Sequence, residues 1–189
     1  MPSSSAASEA ASSSSEVTVE DLARFNIFRG LQPDKLAKIG EIIQVEEVPD
    51  GATVIRDGDE GGTFYLLLEG EVEITKVLVM RMSRQEVGQT DKSLIQLSSE
   101  PHPEFGKPCF GEMALFSDKS RRSATVVTTQ ASVLGVIHHE RFMDLCEADK
   151  EIGYRVFRSI AGMLSTRLDK ANQDVLNLTT ALSFVLASH

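Results

Sequence analysis

The stretch Phe110-Gly111-Glu112-Met113-Ala114-Leu115, followed by Arg122-Ser123-Ala124-Thr125-Val126, constrains this chain more than any other. It reads as a loop, one short helical turn, a second loop and a strand. A carboxylate stands at the front and a guanidinium at the back. The turn after Gly111 leaves backbone N–H groups pointing outward, where they attract an anion. Arg122 can add a bidentate fork to the same anion. Glu112 when ionised only accepts hydrogen bonds, so it suits a hydroxyl rather than a phosphate. The pair fits a ligand that carries both groups.

Upstream of this stretch the pattern is that of short strands. Val45, Val48, Val54, Ile55, Phe64 to Leu68, Val72 and Ile74 mark them, in part with a period of two. Pro49-Asp50-Gly51, Asp57-Gly58-Asp59 and Glu69-Gly70-Glu71 punctuate them, and Gly58 and Gly70 are expected at positive φ. Downstream, Ala124 to Val127 and Val133 to Ile137 read as closing strands. Many closely spaced strands with such turns predict a jelly-roll barrel.

Helices flank the strands. Thr18-Val19-Glu20-Asp21 opens one, with Thr18 as cap. Pro33-Asp34 opens a second, with Leu36, Ile39, Ile42 and Ile43 on one face. Glu140-Arg141-Phe142-Met143 begins a third. Residues 149–186 read as one long helix without proline, in which Leu164, Leu168, Ala171, Val175, Leu178, Leu182 and Val185 alternate by four and three. That is a coiled-coil seam. The first half of this helix is expected to pack on its own barrel and the second half on another copy. Val77 to Val87 and Ser93 to Leu97 suggest an extended hairpin, whereas Ser98 to Pro108 carries three prolines and does not read as strand.

The central stretch closely resembles the phosphate-binding cassette of cyclic nucleotide-binding domains, the family of the catabolite activator protein, the regulatory subunits of cyclic-AMP-dependent kinase and gated ion channels. Gly51-Ala52-Thr53-Val54-Ile55, Asp57-Gly58-Asp59 and Phe64 to Val72 match the family in the same order. The resemblance covers about residues 24–147 and weakens between 77 and 108, where the family has a short strand leading into the cassette. This insertion is either a surface loop, a lid or a partner surface.

The resemblance implies roles for individual residues. Glu112 matches the carboxylate that accepts the ribose 2′-hydroxyl, and Arg122 the arginine on the cyclic phosphate. Arg122-Ser123-Ala124-Thr125 fixes the register, so that Arg122 points inward and Arg121 outward. Ser123 would give a hydroxyl and an N–H to the phosphate. Phe110, Gly111, Met113, Ala114 and Ala124 complete the cassette, with small Ala114 allowing close approach. On the long helix, Ala171 stands where the catabolite activator has a base-contacting threonine. Asn172 stands where it has a serine that reaches across the dimer. The ligand implied is cyclic AMP, with cyclic GMP as the alternative.

Composition removes other classes. A net charge of −9 argues against a nucleic-acid surface, which needs clustered Lys and Arg. No apolar run is long enough to span a membrane, and no secretory signal opens the chain. Cys109 and Cys146 stand in no metal or redox spacing and read as reduced cysteines of a cytoplasmic protein. His138 and His139, read as neighbours in a strand, would face opposite sides, so a metal site is not expected. No nucleophile–base pair has a recognisable context, and an enzyme is not expected.

The expectation is thus a mainly β protein with flanking α, built as a jelly-roll (double-stranded β-helix) barrel. Residues 1–17 form a disordered Ser/Ala-rich tail, 18–147 a cyclic nucleotide-binding domain and 148–189 a long dimerisation helix. With the chain ending at His189 and no helix-turn-helix following, the output would pass to an effector protein. The alternatives are an interaction scaffold of the same fold that binds no nucleotide, or a transcription regulator acting through a partner.

Overall fold

A computed structural model describes residues 17–82, 85–101, 106–116 and 121–187. The tail expected over 1–17 lies outside the described residues apart from Val17, as does His102 in the insertion.

The N-terminal helices form as their caps predict. In α1 (Val19–Ala23) the Thr18 hydroxyl accepts from the Asp21 N–H at 3.2 Å, while the Asp21 carboxylate accepts from the Thr18 N–H at 3.4 Å. This reciprocal box satisfies two otherwise orphaned donors. A 3-10 turn at Asn26–Phe28 follows, and then α2 (Pro33–Gly40) opens on its proline. It stops one turn earlier than the apolar spacing suggests. Ile42 and Ile43 lie beyond it, yet both still pack on the core from the connection to the first strand.

Eight strands follow among the described residues: β1 (Gln44–Val48), β2 (Thr53–Ile55), β3 (Thr63–Glu69), β4 (Glu71–Met82), β5 (Gln85–Ser98), β6 (Cys109–Phe110), β7 (Thr125–Thr128) and β8 (Ser132–His138). They form two antiparallel four-stranded sheets, ordered β1-β8-β3-β6 and β2-β7-β4-β5. This is the jelly-roll expected. Gly58 and Gly70 have φ of 86° and 96°, as their turns require.

The uninterrupted apolar run Phe64 to Leu68 is explained by where β3 sits. Side chains of a strand alternate between faces. Phe64, Leu66 and Leu68 enter a core shared with the helices, whereas Tyr65 and Leu67 enter the barrel interior with Ile55, Val72, Phe110, Val126 and Leu134. Both faces of β3 are covered, so no polar residue interrupts it.

The described residues of the region 77–98 are all strand. β4 pairs with β7 only from Val72 to Thr75, but its pairing with β5 runs from Glu71 opposite Ser98 to Met82 opposite Gln85. The hairpin therefore continues past the barrel as a two-stranded ribbon.

His138 and His139 differ from the sequence reading. His138 ends β8 and His139 opens α3 (His139–Ala148), its N–H donating to the Gly62 carbonyl at 2.8 Å. They are not adjacent strand residues. No group of three or more His, Cys, Asp or Glu among the described residues is placed to hold a metal.

α4 (Lys150–Ala187) begins at an elbow held by charge. The Asp149 carboxylate accepts from Lys35 Nζ at 2.6 Å and Lys38 Nζ at 2.8 Å, both on α2. Ile152, Gly153, Val156 and Ile160 are buried against the core. A Cβ at Gly153 would lie 3.1 Å from the Cys146 Cβ, so α3 and α4 cross closely there. From residue 165 to 187 every position of α4 is exposed. The helix thus packs on its barrel in its first half, as its sequence predicts.

Candidate functional site

The cassette folds around one left-handed residue. Gly111 has φ of 75°, a conformation that strains other residues, and it turns the chain from β6 into a 3-10 turn at Glu112–Leu115. Ala114 and Leu115 are buried beneath this turn, Met113 is half exposed, and Glu112 is 8% exposed. Phe110 is also buried, its ring stacked on Tyr65 at 5.2 Å and 12°. Phe110 and Ala114 support the cassette from below, whereas Met113, Ser123 and Asn172 are exposed. No hydrogen bond or ion pair joins Asn172, on the exposed part of α4, to the cassette among the described residues.

Arg122 turns inward and Arg121 outward, as the register predicts. Its Nη1 donates to the Thr63 carbonyl at 2.8 Å and its Nη2 to the Thr63 hydroxyl at 2.7 Å. Its Cζ lies 6.0 Å from the centre of the Tyr65 ring. The head fills space that two glycines leave free. A Cβ on Gly61 would fall 2.6 Å from its Nε and Nη2, and one on Gly111 would fall 3.1 Å from its Nη1. Arg122 and the start of the cassette turn are therefore neighbours across the two loops.

The guanidinium is half-buried, and that burial pulls its pKa below the ordinary arginine value. No carboxylate among the described residues forms an ion pair with it. Removing a cation from water is costly unless it is paired. The two Thr63 bonds orient the fork without neutralising it, and no described carboxylate balances its charge beside Gly111.

Glu112 is arranged differently. Its Oε1 accepts from Arg167 Nη1 at 2.6 Å, across 55 positions of sequence. Arg167 projects from α4, so this ion pair ties the long helix to the cassette. A second link is aromatic: Phe116 lies 5.5 Å from Phe157 of α4, which lies 5.8 Å from Phe142 of α3. Lys76, at the base of the hairpin ribbon, donates to the Ser123 carbonyl at 2.9 Å. Below the cassette the Cys109 thiol is pushed up to about 12 by burial and by the Glu112 charge.

Arg167, Thr63 and Gly61 are the positions the sequence reading did not single out. Arg167 stands within the helix segment used to place Asn172, but nothing local shows that it reaches back to Glu112. Thr63 and Gly61 flank the start of β3, and their place beside Arg122 follows only from the barrel closing.

No family model matches the chain. Among curated proteins it is 30% identical, over 127 residues, to the cAMP-dependent protein kinase regulatory subunit of Dictyostelium discoideum, and 32% identical over 118 residues to human cGMP-dependent protein kinase 2. These matches cover 67% and 62% of this chain but only 35% and 14% of the relatives. Among solved structures, a cyclic nucleotide-binding domain from Methylobacillus flagellatus superposes with a TM-score of 0.64 at 18% identity, covering 85% of this chain and 81% of that one. Fold and relatives together place the chain among the cyclic nucleotide-binding domains. Over the matched span it is related to the cAMP- and cGMP-dependent kinase proteins named above.

Proposed function

We propose that the chain is a sensor for cyclic AMP, rather than cyclic GMP, that signals to a partner protein through its helices. The observation that carries this reading is the half-buried, oriented guanidinium of Arg122 beside the Gly111 turn, with no ion pair to any described carboxylate. A cyclic phosphate would supply the missing negative charge. Gly111, Met113 and Ala114 would contribute backbone groups, with Ser123 and Ala124 on the opposite loop. Glu112 keeps one oxygen for Arg167 and offers the other to a ribose 2′-hydroxyl. Asn172 of α4 would approach the base.

Signalling would be a population shift. Ligand that engages Glu112 and Arg122 orders the cassette, which touches α4 through Arg167 and the Phe116–Phe157–Phe142 contacts. The exposed seam of α4, with Leu168 and Leu182 each about 60% exposed, pairs two copies in a homodimer. The role is regulatory, in the cytoplasm, without direct nucleic-acid or membrane contact. No described helix is long and apolar enough to cross a membrane.

Thermal unfolding with cyclic AMP, cyclic GMP and the ring-opened 5′-AMP tests this. Ligand at a hundred times its Kd stabilises the native state by about 2.7 kcal/mol. Cyclic AMP is expected to raise the midpoint most and 5′-AMP least. No shift with either cyclic nucleotide would favour the interaction scaffold.

A further inference from the structure

The hydrogen bonds that start at Arg122 end in a hydroxyl proton with no acceptor. Arg122 Nη2 donates to Thr63 Oγ1 at 2.7 Å, and the Thr63 hydroxyl donates to the Tyr65 phenol oxygen at 2.9 Å. A guanidinium only donates, so the direction of the first bond is fixed. Thr63 and Tyr65 carry two hydroxyl protons between them, and the bond that joins them uses one. The other meets no acceptor among the described residues.

Chemistry places that spare proton on Tyr65. Accepting from a cation polarises the Thr63 hydroxyl and makes it the better donor within the pair. A phenol is also more acidic than an aliphatic hydroxyl, so it is the stronger donor to an anion. The chain therefore runs from Arg122 through Thr63 to Tyr65, with the phenol O–H at its end.

The ring is held beside the guanidinium. It stacks on Phe110 at 5.2 Å and 12°, and its centre lies 6.0 Å from Arg122 Cζ. Tyr65 and Leu67 share the barrel face of β3, yet Leu67 is fully buried and Tyr65 keeps some exposure. An anion seated on Arg122 would close the chain into a ring.

We propose that Tyr65 is a further ligand-binding residue, whose phenol O–H donates to the cyclic phosphate held by Arg122, and that Thr63 is the positioning residue for both. The inference rests on the sensor reading given above. Arg122 supplies charge and Tyr65 a single directional donor, in a bond that the ionised acceptor strengthens.

Titration calorimetry with cyclic AMP on Tyr65→Phe tests the bond, because this change removes one oxygen and keeps the ring on Phe110. Affinity is expected to fall about tenfold or more, with the urea midpoint of the free protein unchanged. Thr63→Val should also lose affinity, and Thr63→Ser should keep it. A spectroscopic readout leaves Tyr65 intact. The chain has two tyrosines and no tryptophan, and the other tyrosine, Tyr154, is 63% exposed on α4. In Tyr154→Phe, cyclic AMP should therefore move the red edge of the Tyr65 absorption to longer wavelength. Binding by Tyr65→Phe as tight as by the wild type, or a Tyr65 spectrum that bound cyclic AMP leaves unchanged, overturns the role of Tyr65 and leaves the sensor reading standing. A wild type that binds neither cyclic AMP nor cyclic GMP overturns both.

Discussion

At the scale of single residues the site is a division of labour between two charges. Arg122 is oriented by Thr63 and pairs with no described carboxylate, whereas Glu112 is already paired with a solvent-facing arginine. Their losses should differ accordingly. A hydrogen bond to a charged group contributes about 1.5–3 kcal/mol, but an exposed ion pair only about 0–1 kcal/mol. Arg167 is about half exposed, so Arg167→Ala should weaken cyclic AMP binding by at most about 1 kcal/mol, while Glu112→Ala should cost about 1.5–3 kcal/mol. The 2′-deoxy analogue tells the roles apart in a competition assay. The wild type and Arg167→Ala should prefer the hydroxylated nucleotide, and Glu112→Ala should bind both alike. The cassette residues were legible because their order in the chain is local. Arg167 was not, because its partner lies 55 positions away and only the fold brings them together.

At the scale of elements, the elbow between α3 and α4 is what positions the long helix over the cassette. Asp149 is held at about 2, well below the usual carboxylate range, by its bonds to Lys35 and then Lys38. Its folded value thus lies below its unfolded value of about 3.9. A depressed carboxylate contributes stability above the unfolded pKa and loses it as pH falls through the folded one. Unfolding by urea should therefore show wild type more stable than Asp149→Asn at pH 6. The gap should shrink between about pH 4 and about pH 2. A gap constant with pH would mean that the elbow is held by packing alone. The strands were legible in the sequence because short apolar runs, only in part of period two, stand between turn residues. The stop of α2 at Gly40 was not, because Ile42 and Ile43 reach the core without being helical.

At the scale of the whole molecule, a jelly-roll core holds the cassette on one side, and one long helix touches that cassette and then runs free of it. Its free end exposes Leu168, Leu178, Leu182 and Phe184 in a chain of net charge −9. The central claim is that Arg122 waits for a cyclic phosphate. Titration calorimetry with cyclic AMP and cyclic GMP on the wild type and on Arg122→Ala tests it most directly. Removing one member of a buried charge pair costs about 2–5 kcal/mol, so Arg122→Ala should lose at least about 30-fold in affinity, with cyclic AMP bound more tightly than cyclic GMP by the wild type. Equal binding by wild type and Arg122→Ala, or no heat with either nucleotide, would contradict the account.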